Sequence, residues 1–415
     1  MAAGGGESHE GLIHDWNLTG ARPRPAFPIQ IDDETLRDGL QSPSVTDPAI
    51  EDKIRLLHLM EALGIDTAAV GLPGAGPRAV ADVTALCREI ATRRLRIGAN
   101  CAARTMIRDV EPIVRIRDEV GLPIEACLFI GSSPIRQYTE GWTLDTILGH
   151  TEQAVTYAVK QGLKVMFVTE DTTRARPGDV RRLYTAAIEC GAKRLCVCDT
   201  VGHAMPDGVR ALITFVREVI ADSGEDVEID WHGHRDRGMD LPNTLAAIEA
   251  GATRVHGCAI GIGERSGNTP IDLLLVNLKL LGWIERDLSR LAEYCRVAAD
   301  ACGVPIPVNY PVVGRDAFET GTGVHAAAVI KAFHKGDAWL ADRVYSGVPA
   351  GEFGLRQRIR IGPMSGRSNV VFWLEERGLE AQDAVVDRIF EAAKRSNRLL
   401  EDDEIAALVR ATDAT

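Results

Sequence analysis

The chain has no run of about 18 consecutive apolar residues, so it offers no membrane-spanning helix. It has no C-x-x-C pair, and its nine cysteines are odd in number and set in apolar stretches such as RLCVCDT. That excludes a disulfide framework and a zinc ribbon, and it reads as nine buried small hydrophobes in a reducing compartment. It is short of positive charge, with a formal net charge of -12 over 415 residues. A surface this acidic is a poor general partner for nucleic acid or anionic membrane. The N-terminus, MAAGGGESHEGLIHDWN, lacks the basic-then-apolar layout of a signal peptide. Residues 1–26 are therefore expected to be a flexible tail on a cytoplasmic protein. No G-x-G-x-x-G follows the first apolar run, which counts against a dinucleotide fold.

What the chain does have is a beat. Eight short apolar runs occupy 28–32, 66–73, 95–101, 124–133, 164–171, 194–200, 227–234 and 253–261. Each is rich in Val, Ile, Cys and Ala and suits a strand buried on both faces. Longer amphipathic segments lie between them. The segment 47–64 opens on an Asp cap and closes at Gly64. The segment 77–94 opens on Pro77 and ends on arginines, and 143–162, 177–191 and 206–224 follow the same form. Eight strand–helix repeats in about 250 residues predict a closed (β/α)8 TIM barrel over 27–284, with an open doubly wound sheet as the alternative. The beat stops there, and 285–415 reads as a small, mainly helical accessory region.

In such a barrel the working residues sit at the C-terminal ends of the strands. The first run ends in DDETLRDGLQ, which supplies Glu34, Arg37, Asp38 and Gln41. The fifth ends in Glu170 and Asp171, and the sixth in Asp199 and Thr200. The seventh ends in WHGHRDRG. On a helix His232 and His234 would point about 200° apart, but on a strand they share a face. With a carboxylate from another strand end they form part of a site for Mg, Mn or Zn. The eighth run leads into GIGERSGN, with Glu264, Arg265 and Asn268; the first two are expected to pair and brace the loop.

DETLRDGLQ, HGHRDRGMDLPNTLAAIEAGA and GIGERSGNTPIDLLL together resemble the signature segments of the DRE-TIM metallolyase group. Within it, the chain is most similar to the 2-isopropylmalate and homocitrate synthases. VGRDAFETGTGVHAAAVIK and IGPMSGRSNVVFWLEERG extend the likeness past the barrel. The resemblance implies Asp38, His232 and His234 as metal ligands, with Asn268 at or beside the metal. It implies Arg37 as the group that steadies an enolate or alkoxide oxygen. Glu170 and His325 are implied in proton transfer, and Thr200 and Gln41 in substrate binding. Acetyl-CoA is the implied co-substrate, and a homodimer in which the C-terminal region reaches the partner barrel is the implied assembly. A 3-hydroxy-3-methylglutaryl-CoA lyase-like enzyme is the alternative, kept open by Leu40 in RDGLQ; a non-catalytic relative is a third reading.

Besides Leu40, which stands where the synthases usually carry Glu, four positions depart from the resemblance. Ala69 stands where an acid is usual, and Arg235 and Arg237 add unexpected charge after the second histidine. Arg136 stands where isopropylmalate synthases tend to have histidine. A guanidinium there favours a second anionic group, a carboxylate or phosphonate, on the 2-oxo acid. The chain ends at 415 without a leucine-regulatory domain, so no leucine feedback is expected.

Overall fold

The computed structural model describes residues 9–18 and 24–411. Residues 1–8 and 19–23 of the expected 1–26 tail therefore lie outside the described residues. Within its described part, His9 stacks on Trp339 with ring centroids 4.1 Å apart and meets Asp337 at 2.8 Å.

Eight strands follow the eight apolar runs: β1 (Gln30–Asp33), β2 (Thr67–Ala69), β3 (Gly98–Arg104), β4 (Ile124–Gly131), β5 (Lys164–Glu170), β6 (Arg194–Asp199), β7 (Glu228–Gly233) and β8 (Arg254–Gly257). They close in sequence order into one parallel barrel, with β1 beside β8 through Gln30 against Arg254 and Asp33 against Gly257. The strands read as continuous apolar runs because helices cover the outside while side chains fill the inside. Phe167, Val197, Trp231 and Val255 all lie at 0% exposure.

The helices are α1 (Ile50–Ala62), α2 (Pro77–Arg93), α3 (Ile107–Val120), α4 (Pro134–Glu140), α5 (Leu144–Lys160), α6 (Pro177–Glu189), α7 (Pro206–Ser223), α8 (Asp240–Ala250) and α9 (Ile271–Leu280). The expected Asp47 cap of α1 is not formed. Ala49 takes the cap position, and Asp47 instead meets Lys53 at 2.6 Å and Arg78 at 2.8 Å. Helix α4 is an insertion between β4 and α5 that the apolar pattern did not announce. It starts at Pro134, with the Ser133 hydroxyl accepting from the Arg136 N–H, and it carries Arg136.

Beyond the barrel come α10 (Leu291–Cys302), α11 (Gly323–His334), α12 (Ala338–Arg343), α13 (Arg367–Glu375), α14 (Asp383–Arg395) and α15 (Asp402–Arg410). A two-residue pair, β9 (Glu319–Thr320) with β10 (Arg358–Ile359), ties this region together. Helix α10 packs into the barrel's own core. Its buried Tyr294 donates to Asp33 Oδ2 at 2.5 Å, at the end of β1. A separate core of Val370, Trp373, Leu374, Val386 and Ile389 holds α13 and α14 together.

The N-terminal end of the barrel is closed by charge. Arg254 Nε donates to Asp230 Oδ2 at 2.5 Å, and Arg254 Nη2 to Glu125 at 2.6 Å; Arg194 bridges Asp230, Glu228 and Gln30. Buried charges survive in such a place only when paired. A large open cavity of about 1030 Å³ lies at this end, rimmed by these ion pairs. In barrels of this kind that face serves stability rather than chemistry.

Candidate metal and catalytic site at the C-terminal end of the barrel

A smaller cavity, about 130 Å³, opens at the C-terminal ends of the strands. It brings together Glu34, Arg37, Asp38 and Gln41 from the β1 end, Glu170 and Thr200 from β5 and β6, His232 and His234 from β7, and Glu264 from the loop after β8. The alternation of β7 turns both histidines to one side, as their spacing requires. His234 lies one residue beyond the strand and is held by an antiparallel bridge to Asn268.

Three candidate ligand atoms converge. His232 Nε2 and His234 Nε2 are 3.1 Å apart, and Asp38 Oδ2 lies 3.6 and 3.5 Å from them. Three donors about 2.1 Å from one divalent ion subtend edges of about 3.0 to 3.4 Å. The chain's own geometry therefore fits such an ion. All three residues are buried. Burial works to raise the Asp38 carboxyl, but Arg37, His232 and His234 outweigh it and hold it below its ordinary value. Burial, with the neighbouring His232, pushes His234 down to about 4, which keeps it neutral as a ligand must be. Asn268 Nδ2 donates to Asp38 Oδ2 at 2.6 Å, and its Oδ1 is buried with no protein partner. Asn268 thus stands beside the candidate ligand set and fixes the Asp38 carboxylate.

Arg37 sits on the same wall. Its Nη2 donates to Glu34 Oε1 at 2.5 Å, and its Nη1 lies 3.3 Å from Asp38. Glu170 closes β5 at the cavity's edge. Burial raises its carboxyl above the ordinary range, with Arg136 at 3.8 Å pulling the other way. Thr200 lines the cavity, yet its hydroxyl also accepts the Asp171 N–H at 2.8 Å. Gln41 reaches the rim from an exposed turn.

Other expected residues fall elsewhere. Arg136 is half-buried outside the cavity wall, between Glu140 at 3.4 Å and Glu170. His325 is exposed at the start of α11 and stacks on Tyr345 at 4.3 Å, away from the cavity of its own chain. The expected Glu264–Arg265 brace is the weaker half of what forms. Arg265 holds Asp236 at 2.8 Å and the Thr200 carbonyl at 2.6 Å, with Glu264 at 3.5 Å, because the loop folds Asp236 closer. That leaves Glu264 facing the cavity. Arg237 donates to the His203 carbonyl at 2.8 Å and Arg235 packs against Gly261, so neither joins the cavity wall.

Two groups were not legible as site residues. His256, from the middle of β8, lines the cavity floor. Cys127, Met166, Cys196 and Cys198 form a sulfur-rich wall beside Leu72, Ala102, Phe129 and Val168. Those cysteines read as core filler because strands β4 and β6 turn a residue inward at every second position, and only the packed barrel shows which inward layer meets the cavity. Among the described residues eight cysteines are buried and free, and Cys190 is half-buried.

The profile described as HMGL-like matches residues 28–298. The chain belongs to the HMGL-like family. Its relatives in that family include a homocitrate synthase AksA of Methanopyrus kandleri, 34% identical over 87% of this chain and 86% of that one. A probable 2-isopropylmalate synthase of the same organism is 32% identical over 88% of this chain and 69% of its own length. A homocitrate synthase of Pyrococcus horikoshii is 28% identical over 85% and 91%. Among solved structures, a Bacillus subtilis HMG-CoA lyase superposes with a TM-score of 0.57 at 23% identity, covering 69% of this chain and 97% of that one. At that identity the likeness speaks for the barrel fold alone. No helix among the described residues is long and apolar enough to cross a membrane.

Proposed function

We propose that the chain is a metal-dependent enzyme that condenses acetyl-CoA with a 2-oxo acid, releasing CoA and a 2-substituted malate. One observation carries this reading: a metal-competent Asp38–His232–His234 set shares a single small cavity with a guanidinium and a protonatable carboxyl. The names of the synthase relatives support it.

A divalent ion held by those three residues would supply Lewis-acid polarisation of the 2-oxo acid's carbonyl. The remaining work falls to the chain. Arg37 offers a fixed cation to the oxygen on which charge develops when acetyl-CoA loses a methyl proton, or when the new carbon–carbon bond forms. Glu170, with its carboxyl raised by burial, is placed to exchange that proton at the cavity's edge. Thr200 and Gln41 are the candidate contacts for the substrate's carboxylate. The thioester of the condensed product is then cleaved by water.

Two readings of the 2-oxo acid's substituent rest on different observations. The uncharged sulfur and apolar wall suits a short apolar group. Arg136, at the rim beyond Glu170, suits a carboxylate or phosphonate. Both are tested by thiol release from acetyl-CoA with 2-oxoisovalerate, pyruvate, 2-oxoglutarate, oxaloacetate and phosphonopyruvate. If the acidic reading holds, Arg136→Ala raises KM about tenfold for the acidic substrate and leaves the apolar ones alone. Equal kinetics for both classes would remove Arg136 from the account. No thiol release with any member, together with cleavage of a 3-hydroxyacyl-CoA, would favour the lyase reading that Leu40 keeps in view.

The active assembly is proposed to be a homodimer in which the C-terminal region covers the partner's barrel. The support is that His325 stacks on Tyr345 and does not line its own chain's cavity, while Val324 beside it is 74% exposed and Tyr138, on α4, is 90% exposed. Mixing His325→Ala with Arg37→Lys protein and allowing exchange should restore roughly a quarter of the wild-type turnover if each site draws on both chains. A mixture no more active than its parents would mean that each chain works alone.

A further inference from the structure

Glu34 is the point where the metal triad and the catalytic arginine meet. It directly follows β1, is 4% exposed, and sets one carboxylate oxygen on Arg37 and the other against His232. Oε1 takes the Arg37 Nη2 hydrogen bond at 2.5 Å. Oε2 lies 2.7 Å from His232 Nδ1, on the far side of the imidazole from the atom that faces Asp38 and His234. Behind it stands His256, whose Nδ1 is 3.3 Å from Glu34 Oε1 and whose Nε2 shares a 2.8 Å hydrogen bond with the buried Asp230. Asp230 is itself pinned by Arg194 and Arg254. The chain Asp230–His256–Glu34–His232 thus runs from the closed end of the barrel to the ligand set, through buried groups with little room to reorient. Strand β2 contributes no acid to this wall, since it closes on the buried Ala69.

We propose that Glu34, braced by His256 and Asp230, is the positioning residue of this site: it fixes the His232 ring so that Nε2 faces the metal position, and it holds Arg37 in register with that position. The chemistry follows from the oxygens. A carboxylate can only accept, so the 2.7 Å approach of Oε2 favours the His232 proton on Nδ1 and leaves Nε2 unprotonated for a metal. The same carboxylate aims the Arg37 fork, so one side chain couples the two halves of the site. This rests on the reading of Asp38, His232 and His234 as ligands.

The decisive variant is Glu34→Gln. Gln keeps the shape and can still accept from Arg37, but it presents an NH2 to His232 Nδ1. The proton then moves to Nε2, the atom the metal needs. Cobalt(II) affinity, measured by competition with a chromophoric chelator, should fall about 10- to 100-fold, and nitrogen NMR of the metal-free protein should show His232 in the Nε2–H form. His256→Gln should give a smaller loss in the same direction, and Glu34→Asp should recover part of the affinity. Circular dichroism and a thermal melt identify any variant that fails to fold, in which case His256→Gln carries the test. Wild-type protein that binds cobalt while both Glu34→Gln and His256→Gln bind it equally tightly overturns the proposal alone. Wild-type protein that binds no divalent ion overturns the ligand reading beneath it as well.

Discussion

His234→Ala protein, purified and passed through a chelating column, is expected to emerge without metal and to lose turnover by about a thousandfold. His234 supplies one of three donor atoms whose mutual distances are 3.1, 3.5 and 3.6 Å. Removing it leaves two ligands, one of them the carboxylate that Asn268 already holds. The polarisation a divalent ion gives a carbonyl amounts to several kcal/mol, and about 4 kcal/mol corresponds to three decades in rate. The fold should survive, because His234 lies beyond the end of β7 and the neighbouring Trp231 carries that strand's core contacts. Metal content by plasma mass spectrometry, paired with the thiol-release rate, checks this. A His234→Ala protein with one tightly bound ion per chain and turnover within threefold of wild type would dismantle the assigned site. Asp38→Asn, which keeps the volume and removes the charge, should move in the same direction.

Arg37→Lys is expected to separate the proposed catalytic role from metal binding. Lysine keeps the positive charge but loses the planar fork that spans Glu34 and Asp38. Loss of one donor aimed at developing negative charge typically costs about 100- to 1000-fold in kcat. The expected result is such a fall in kcat, with KM for the 2-oxo acid within a few fold and metal content unchanged. If KM rises instead and kcat holds, Arg37 binds the ground state and some other group must stabilise the charge. Arg37→Ala is the harsher variant, since it would strand two buried carboxylates without their partner.

The barrel was legible because its signal is local. A strand buried on both faces must be short and uniformly apolar, and eight such runs alternating with longer amphipathic intervals admit few closures. His232 and His234 were legible for a related reason: a period of two is a property of the strand itself, and it turned a spacing into a shared face. Asp38 and Arg37 came from their motif and from the rule that strand ends carry the chemistry. Helix α4 was less legible, because seven residues opened by Pro134, about two turns, have too short a pattern to stand out from a loop. The Asp47 cap failed because Lys53 and Arg78, 6 and 31 residues along the chain, compete for the same carboxylate.

The sequence by itself determined the strand count, the buried faces and the side to which the two histidines point, since each depends on chemistry within about ten residues. Only the tertiary structure decided that Glu34 touches His232, that His256 stands behind it, that Arg136 is held by two glutamates, and that His325 stacks on Tyr345 rather than lining its own cavity. Glu34 and His232 are nearly two hundred residues apart in the chain, and nothing in the spacing of either announces the other. Closing β1 onto β8 is what brings them within 2.7 Å. A contact across a closed barrel depends on register and tilt summed over all eight strands, and no single segment carries that sum.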